Sequence, residues 1–76
     1  MDINVFIQHF AEQFEETEAE EFAPDTVFRD NDEWSSLLAL SVMAMINEEY
    51  DVLISADEMR HANTIQDLFD TVNKYL

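Results

Sequence analysis

The sequence predicts an all-α domain: a small four-helix bundle in which a long loop joins the first two helices and the third helix is short. The 76 residues contain no glycine and one proline, which leaves little material for tight hairpins. Apolar residues recur at three- and four-residue steps in several segments. Hydrophobic residues make up 47% of the chain, more than a disordered acidic chain carries. At this length we expect one domain over residues 1–76.

The first helix is expected to begin at Asp2, a suitable N-cap, and to end near Thr17. Its apolar stripe consists of Ile3, Phe6, Ile7, Phe10 and Phe14. Residues 18 to about 35 have no sustained periodicity and include Ala23-Pro24, so they are predicted to form a long loop. A loop of this length needs contacts that hold it to a compact domain, and Phe22, Val27 and Phe28 are the candidates.

A second helix is expected from Ser35 or Ser36 to about Tyr50. Its predicted core stripe is Ala39, Val42, Met43, Ile46 and Tyr50, whereas Leu37, Leu38, Leu40 and Met45 widen the apolar arc beyond one face. The capping box Ser55-Ala56-Asp57-Glu58 predicts a short third helix of little more than one turn. The last helix is expected from Asn63 or Thr64, with Ile65, Leu68, Phe69, Val72 and Leu76 on one face.

The charge of the chain excludes several classes of partner. Eighteen acidic and three basic residues give a formal net charge of −15. Nucleic acid and bare anionic membranes are therefore not expected as partners, and a protein with a basic patch is. The absence of cysteine excludes disulfides and thiol nucleophiles. No apolar run has the length of a membrane span, and Met1-Asp2 lacks the basic start of a signal peptide, so we expect a cytoplasmic monomer.

No metal site and no catalytic residue are predicted. If Asp30 opened a calcium loop, Ser35 would take the position that requires glycine and Ser41 the position that requires glutamate. His9 and His61 have no further ligand at helical spacing. Serine catalysis needs a base, an oxyanion hole and a dry cleft, for which the chain is too small. We therefore do not expect an enzyme.

What remains is Trp34-Ser35-Ser36-Leu37 at the start of a long apolar helix. At this point the chain resembles the acyl carrier protein family, in which 4'-phosphopantetheine is attached to the serine of an Asp-Ser-Leu motif at that helix start. The resemblance covers nearly the whole chain and includes Phe28, Val42, Ile46, Glu48-Glu49-Tyr50, Ile54 and Thr64-Ile65. It implies a 4'-phosphopantetheine cofactor, taken from coenzyme A by a phosphopantetheinyl transferase and attached to Ser36.

The resemblance also implies a surface that docks on enzymes with basic patches, including the transferase and the enzymes of acyl transfer and fatty acid synthesis. The docking residues it indicates are Trp34, Ser35, Leu37, Leu38, Ser41, Glu48, Glu49, Asp57 and Glu58. The chain departs from the family where Ser35 replaces the aspartate, Asp32-Glu33 replaces Leu-Gly, and Leu38 and Ser41 replace residues that are often acidic. Trp34 is either a docking contact or a lid on the loop.

The function that the resemblance implies is that of a carrier of growing acyl chains, held as thioesters and presented to fatty acid synthesis enzymes. A discrete carrier for a polyketide, a nonribosomal peptide or another acyl product is the alternative within the class. An acidic decoy that covers a basic protein surface is the alternative from a different class. The decoy shares the charge but has no use for Ser36 or for an apolar cleft beside it.

Overall fold

The computed structural model describes residues 1–76 and contains four helices and no strand. The helices are α1 (Ile3–Ala11), α2 (Ser36–Tyr50), α3 (Ala56–His61) and α4 (Ile65–Asn73). The loop between α1 and α2 contains two 3₁₀ turns, at Ala19–Glu21 and Phe28–Asp30. The predicted all-α four-helix bundle with a long loop and a short third helix is confirmed. No helix of the chain is both long and apolar enough to cross a membrane.

Local sequence signals set the starts of all four helices. The Asp2 carboxylate accepts from the amide of Asn4 at the start of α1, and the Ser35 hydroxyl accepts from the amide of Leu38 at the start of α2. Reciprocal capping boxes open α3 and α4, with Ser55 and Thr64 as the N-caps. Helix α2 ends at Tyr50 and is capped by Asp51, whose φ of 57° is left-handed, a conformation that aspartate tolerates better than most residues.

Helix α1 is shorter than the stripe predicted: it ends at Ala11, not near Thr17. Phe14 is still buried, on the turn that follows the helix. The helical ladder ends at the Gln13 and Phe14 amides, which donate to carbonyls only three residues back. The amides of residues 15–17 then donate to the Glu33 carboxylate, which lies at the far end of the loop. This acceptor is 16–18 positions away along the sequence, so no local pattern revealed that residues 15–17 leave the helix.

The core consists of seventeen buried side chains, all of them hydrophobic. The phase predicted for α2 was partly wrong, since its buried residues are Val42, Met45 and Ile46, while Ala39, Met43 and Tyr50 are half-buried. The helix carries apolar residues on most of its circumference, and such a pattern does not define which arc faces the core. Leu76 was also placed wrongly, because α4 ends before it and its side chain is exposed.

An aromatic cluster of Phe10, Phe14, Phe22, Phe28 and Trp34 fastens the loop to α1. Phe10 lies at its centre, with ring centroids 5.4 Å from Phe22 and 5.5 Å from Phe28. Trp34 packs on Phe28 at 4.7 Å. Phe22 and Phe28 are buried and hold the loop as predicted.

Val27 does not hold the loop through its side chain, which is 40% exposed. Its backbone does so instead, because it forms an isolated bridge with Thr64 at the start of α4. Two further bonds reach the same helix start: the Ile65 amide donates to the Thr26 carbonyl and the Gln66 amide to the Pro24 carbonyl. The middle of the loop is therefore tied to α4, as its aromatic residues are tied to α1.

Replacement of Phe28 by alanine tests the role of the aromatic cluster. Because the ring is fully buried, Phe28→Ala is expected to lower the free energy of unfolding by about 3 kcal/mol. Val27→Ala is the matched control one residue away, and its exposed side chain predicts a loss below about 0.5 kcal/mol. Urea unfolding measures both. Equal losses in the two variants would contradict a loop that is held by buried aromatic rings.

Candidate functional site

The start of α2 displays Ser36 to solvent. Ser35 is the N-cap and its hydroxyl is engaged with the Leu38 amide at 3.1 Å. Ser36 is the first helical residue, its side chain is exposed and its hydroxyl makes no hydrogen bond within the chain. Of the two adjacent serines, the structure therefore leaves the second with a free nucleophilic oxygen.

The backbone around Ser36 is suited to a phosphate group. The amides of Ser36 and Leu37 have no acceptor within the chain, since the ladder of α2 begins with the bond from the Ala39 amide to the Ser35 carbonyl. Free amides at a helix N-terminus carry partial positive charge and favour an anion. A phosphodiester on the Ser36 oxygen would thus lie next to two unpaired donors.

A cavity of about 560 Å³ lies beside Ser36, between α2 and α3. It is lined by loop residues Arg29, Trp34 and Ser35, by Ser36, Ala39, Leu40 and Met43 of α2, and by Ala56, Met59 and Arg60 of α3. Six of these ten residues are hydrophobic. The volume is within the range of small-molecule sites, and the walls suit an alkyl chain.

Trp34 is part of both the core and the cavity. Its ring is half-buried against Phe28, and it stacks at 6.3 Å on both Phe10 and Phe14. It also lines the cavity together with Ser36. Trp34 is therefore a wall of the cavity, fixed by the aromatic cluster, and its predicted role as a docking contact or a lid stays a prediction.

Glu33 connects the loop end that precedes Ser36 to the turn after α1. Its carboxylate accepts from the Thr17 hydroxyl at 2.7 Å and from the backbone amides of Glu15, Glu16 and Thr17. The hydrogen bond from Thr17 is the largest effect on the pKa of Glu33 and lowers it. Desolvation raises the pKa, and the three amide bonds lower it further, so it lies below the ordinary value of 4.5. Sequence reasoning missed this role, which becomes visible only when the loop is folded.

The predicted docking residues on α2 fall into two groups. Leu37, Leu38 and Ser41 line one shallow depression together with Ser35, and Leu37 is 75% exposed. Glu48 and Glu49 are exposed at the other end of α2, about 18 Å from Ser36 at the helical rise per residue. One long helix thus carries an apolar end with the predicted attachment residue and an acidic end.

The predicted docking residues on α3 are partly occupied. Asp57 pairs with Arg60 on the surface. Glu58 caps the helix, accepts from the Tyr75 hydroxyl and lies 3.7 Å from the Lys74 ammonium. The Ser55 amide, followed by the Tyr75 hydroxyl, lowers the pKa of Glu58. Glu58 is therefore less available to a partner than the sequence indicated.

Several residues of the site were not found by sequence reasoning. Arg29, Met59 and Arg60 line the cavity, although none of them belongs to a motif. The sequence offered one signal: Arg29 lies in the predicted loop before Ser36, and Arg60 lies in the predicted third helix. The chain brings no group of three or more potential metal ligands together.

A comparison with known families identifies the family of this chain. The family described as "Phosphopantetheine attachment site" matches residues 4–72, and the chain therefore belongs to it. Members of the family carry a covalently attached 4'-phosphopantetheine, and their carrier domains interact with phosphopantetheinyl transferases and acyl-transfer enzymes. The predicted family and cofactor are confirmed, and this chain is a phosphopantetheine carrier protein. A search of curated proteins finds no match.

The residues at the start of α2 fit this group. An exposed hydroxyl, two unpaired amides and an apolar cavity correspond to the oxygen, the phosphate and the acyl end of a loaded arm. When bound, the arm supplies a thiol that carries acyl groups as thioesters. The assignment of the arm to Ser36, and of partners to the docking residues, stays a prediction.

The Glu33 contacts predict a specific dependence of stability on pH. Because the folded-state pKa lies below 4.5, the ionised carboxylate stabilises the fold above that pH, and the benefit is lost as pH falls through the folded-state pKa. Glu33→Gln is therefore expected to lower the melting temperature at pH 7, with a gap to wild type that narrows below pH 4.5. A constant gap across this range would contradict the role given to the charge.

Glu20→Gln is the matched control for Glu33→Gln. Glu20 lies in the same loop, and its carboxylate makes no hydrogen bond or ion pair within the chain. Its neutralisation removes one charge from a strongly acidic chain and is expected to leave the melting temperature at pH 7 unchanged or slightly higher. Thermal melts of both variants between pH 3 and pH 7 provide the measurement.

Proposed function

We propose that this chain is an acyl carrier protein that holds acyl groups as thioesters on a 4'-phosphopantetheine arm attached to Ser36. It presents them to successive enzymes of fatty acid synthesis and is not itself an enzyme. The observation that carries the proposal is the exposed, unengaged Ser36 hydroxyl next to two free amides and a 560 Å³ cavity. The family match over residues 4–72 supports the carrier role.

The attachment chemistry uses few features of the chain. The Ser36 oxygen attacks the phosphorus of coenzyme A that bears pantetheine, the pyrophosphate bond breaks, and the adenosine bisphosphate leaves. The serine proton passes to a base of the transferase. The carrier contributes an exposed hydroxyl and two amide donors that stabilise the new phosphodiester.

Docking is proposed to combine an apolar and an acidic contact. Leu37 projects from α2 beside Ser36, where it suits an apolar socket, while Glu48 and Glu49 suit a basic patch farther along the partner's surface. A carrier for a polyketide, a nonribosomal peptide or another acyl product has the same requirements. The acidic decoy explains the charge but not the exposed serine beside an apolar cavity.

The attachment site is tested by mass spectrometry. Incubation with coenzyme A and a permissive phosphopantetheinyl transferase is expected to add one phosphopantetheinyl group, located on Ser36 by fragmentation. Ser36→Ala is expected to abolish the addition, because its hydroxyl is the nucleophile. Ser35→Ala is expected to retain it, with α2 weakened by about 1 kcal/mol through loss of the N-cap.

A further variant separates a missing site from a missing recognition signal. Ser35→Asp restores the aspartate found in the resembled family and is expected to speed modification by transferases that require it. If wild type and Ser35→Asp both keep the unmodified mass with every transferase, the carrier proposal fails and the decoy becomes the better explanation.

The acidic docking group is tested by transferase kinetics. The double variant Glu48→Gln/Glu49→Gln is expected to lower kcat/KM several-fold at low salt, because surface charges steer association, and the deficit should shrink as salt screens them. Glu16→Gln/Glu20→Gln is the control with the same charge change, at side chains that form no hydrogen bond or ion pair. Equal deficits in the two double variants would leave α2 without a special role in docking.

A further inference from the structure

The cavity beside Ser36 is the one part of this acidic chain in which positive charge is concentrated. The chain has eighteen acidic and three basic residues, yet two of the three basic residues line this cavity and no aspartate or glutamate does. The excess of acidic over basic residues in the chain is therefore reversed in the cavity, where the cargo of a carrier would lie. Either arginine could bind an anion there if its charge is not already neutralised within the fold.

Arg29 is the only basic side chain of the protein that has no carboxylate partner. Arg60 pairs with Asp57, and Lys74 lies 3.7 Å from Glu58. The Arg29 guanidinium instead donates from Nε to the Ala62 carbonyl at 3.1 Å and from Nη2 to the Met59 carbonyl, both neutral acceptors. It also lies 5.4 Å from the centre of the Phe28 ring.

These contacts fix the Arg29 guanidinium at the C-terminal end of α3, where the helix carbonyls and the Phe28 ring favour its charge but supply no full negative charge. Arginine has five N–H donors; with one at Nε and one at Nη2 engaged, three remain. The side chain is half-buried and lines a cavity in which six of the ten residues are hydrophobic, so its charge interacts more strongly there than in open water. A preorganised cation with spare donors and no anion is suited to a carboxylate.

On the basis of the proposed carrier function, we propose that the natural cargo of this protein is an acyl chain bearing a second, free carboxylate, which Arg29 binds inside the cavity. The alkyl part lies against Ala39, Leu40, Met43 and Met59. Arg60 forms an ion pair with Asp57, so it adds to the positive potential of the cavity but is not the main partner of the carboxylate. The carrier role of the proposed function is kept, and its cargo is specified, because a simple fatty acyl chain would use the apolar walls and leave Arg29 without an anion.

The phosphodiester of the arm is the other anion near the cavity. It is bound to Ser36 and lies next to the free amides of Ser36 and Leu37 at the α2 end. Arg29 is fastened to carbonyls of Met59 and Ala62, so its guanidinium lies on the α3 side. The two anions thus have different donors, and the carboxylate of the cargo is the one assigned to Arg29.

The test compares two cargoes of equal length on the arm of the modified protein: hexanoyl, which ends in a methyl group, and adipyl, which ends in a carboxylate. Intact mass first establishes that each is loaded. The rate at which hydroxylamine cleaves each thioester is then divided by the rate for the same acyl group on free pantetheine. We expect adipyl to be protected about tenfold more than hexanoyl, the effect of one charge-assisted contact.

Three variants assign the effect to Arg29. In Arg29→Gln the ratio of adipyl to hexanoyl protection is expected to fall to about one. Arg29→Lys keeps the positive charge, and part of the preference for adipyl is expected to remain. The lysine variant also serves as the test if the glutamine variant does not fold. Lys74→Gln removes a positive charge that does not line the cavity and should keep the wild-type ratio. Each ratio compares two cargoes on the same variant. A general loosening of the fold lowers the protection of both thioesters and therefore cancels in the ratio.

The possible failures are distinguishable. If no cargo can be loaded, the proposed function fails and this inference falls with it. If both cargoes load and are equally protected in wild type, the protein is still a carrier but the carboxylate inference is wrong. If Arg29→Gln shifts the phosphorus resonance of the unloaded arm and leaves the adipyl ratio unchanged, Arg29 serves the phosphodiester and the inference is overturned.

Discussion

The packing of Phe22, Phe28 and Trp34 against Phe10 and Phe14 is the interaction on which the rest of the structure depends. Helix α1 has nine residues and ends before the loop, so no continuous secondary structure links it to the start of α2. The aromatic rings provide that link. Four of them are among the seventeen buried side chains, and a chain of this size can hide only about 60% of its surface on folding. They also fix Trp34 as a wall of the cavity beside Ser36.

The second constraint is charge. With eighteen acidic and three basic residues, few carboxylates can form ion pairs. Glu33, Glu58 and Asp67 accept instead from backbone amides at a turn or a helix start, and these bonds contribute to the lowered pKa of each. The fold therefore stabilises Glu33 and Asp67 without basic partners, and Glu58 with only Lys74 nearby. Arg29 is left free of carboxylates and is held by neutral carbonyls at the cavity, where an anionic cargo would find it.

Much of the fold was predictable because its signals are local. The caps at Asp2, Ser55 and Thr64 lie within a few residues of the helices they start, and the predicted starts agree with the structure. The turn after α1 was not predictable, because the Glu33 carboxylate that accepts from the amides of residues 15–17 lies at the far end of the loop. The burial of Met45 instead of Met43 was not predictable either, because α2 is apolar on most of its surface. The position of Ser36 followed from the helix start, whereas the arginines of the cavity required the tertiary structure.

The central claim is that the loop and the helices form one cooperative unit that holds the start of α2 in place. Trp34 is the only tryptophan, so its fluorescence reports on the loop, while far-ultraviolet circular dichroism reports on the helices. Urea unfolding followed by both probes tests the claim directly. The account predicts coincident transitions with one midpoint. A Trp34 transition at clearly lower urea than the loss of helix would show that the loop detaches independently and would contradict it.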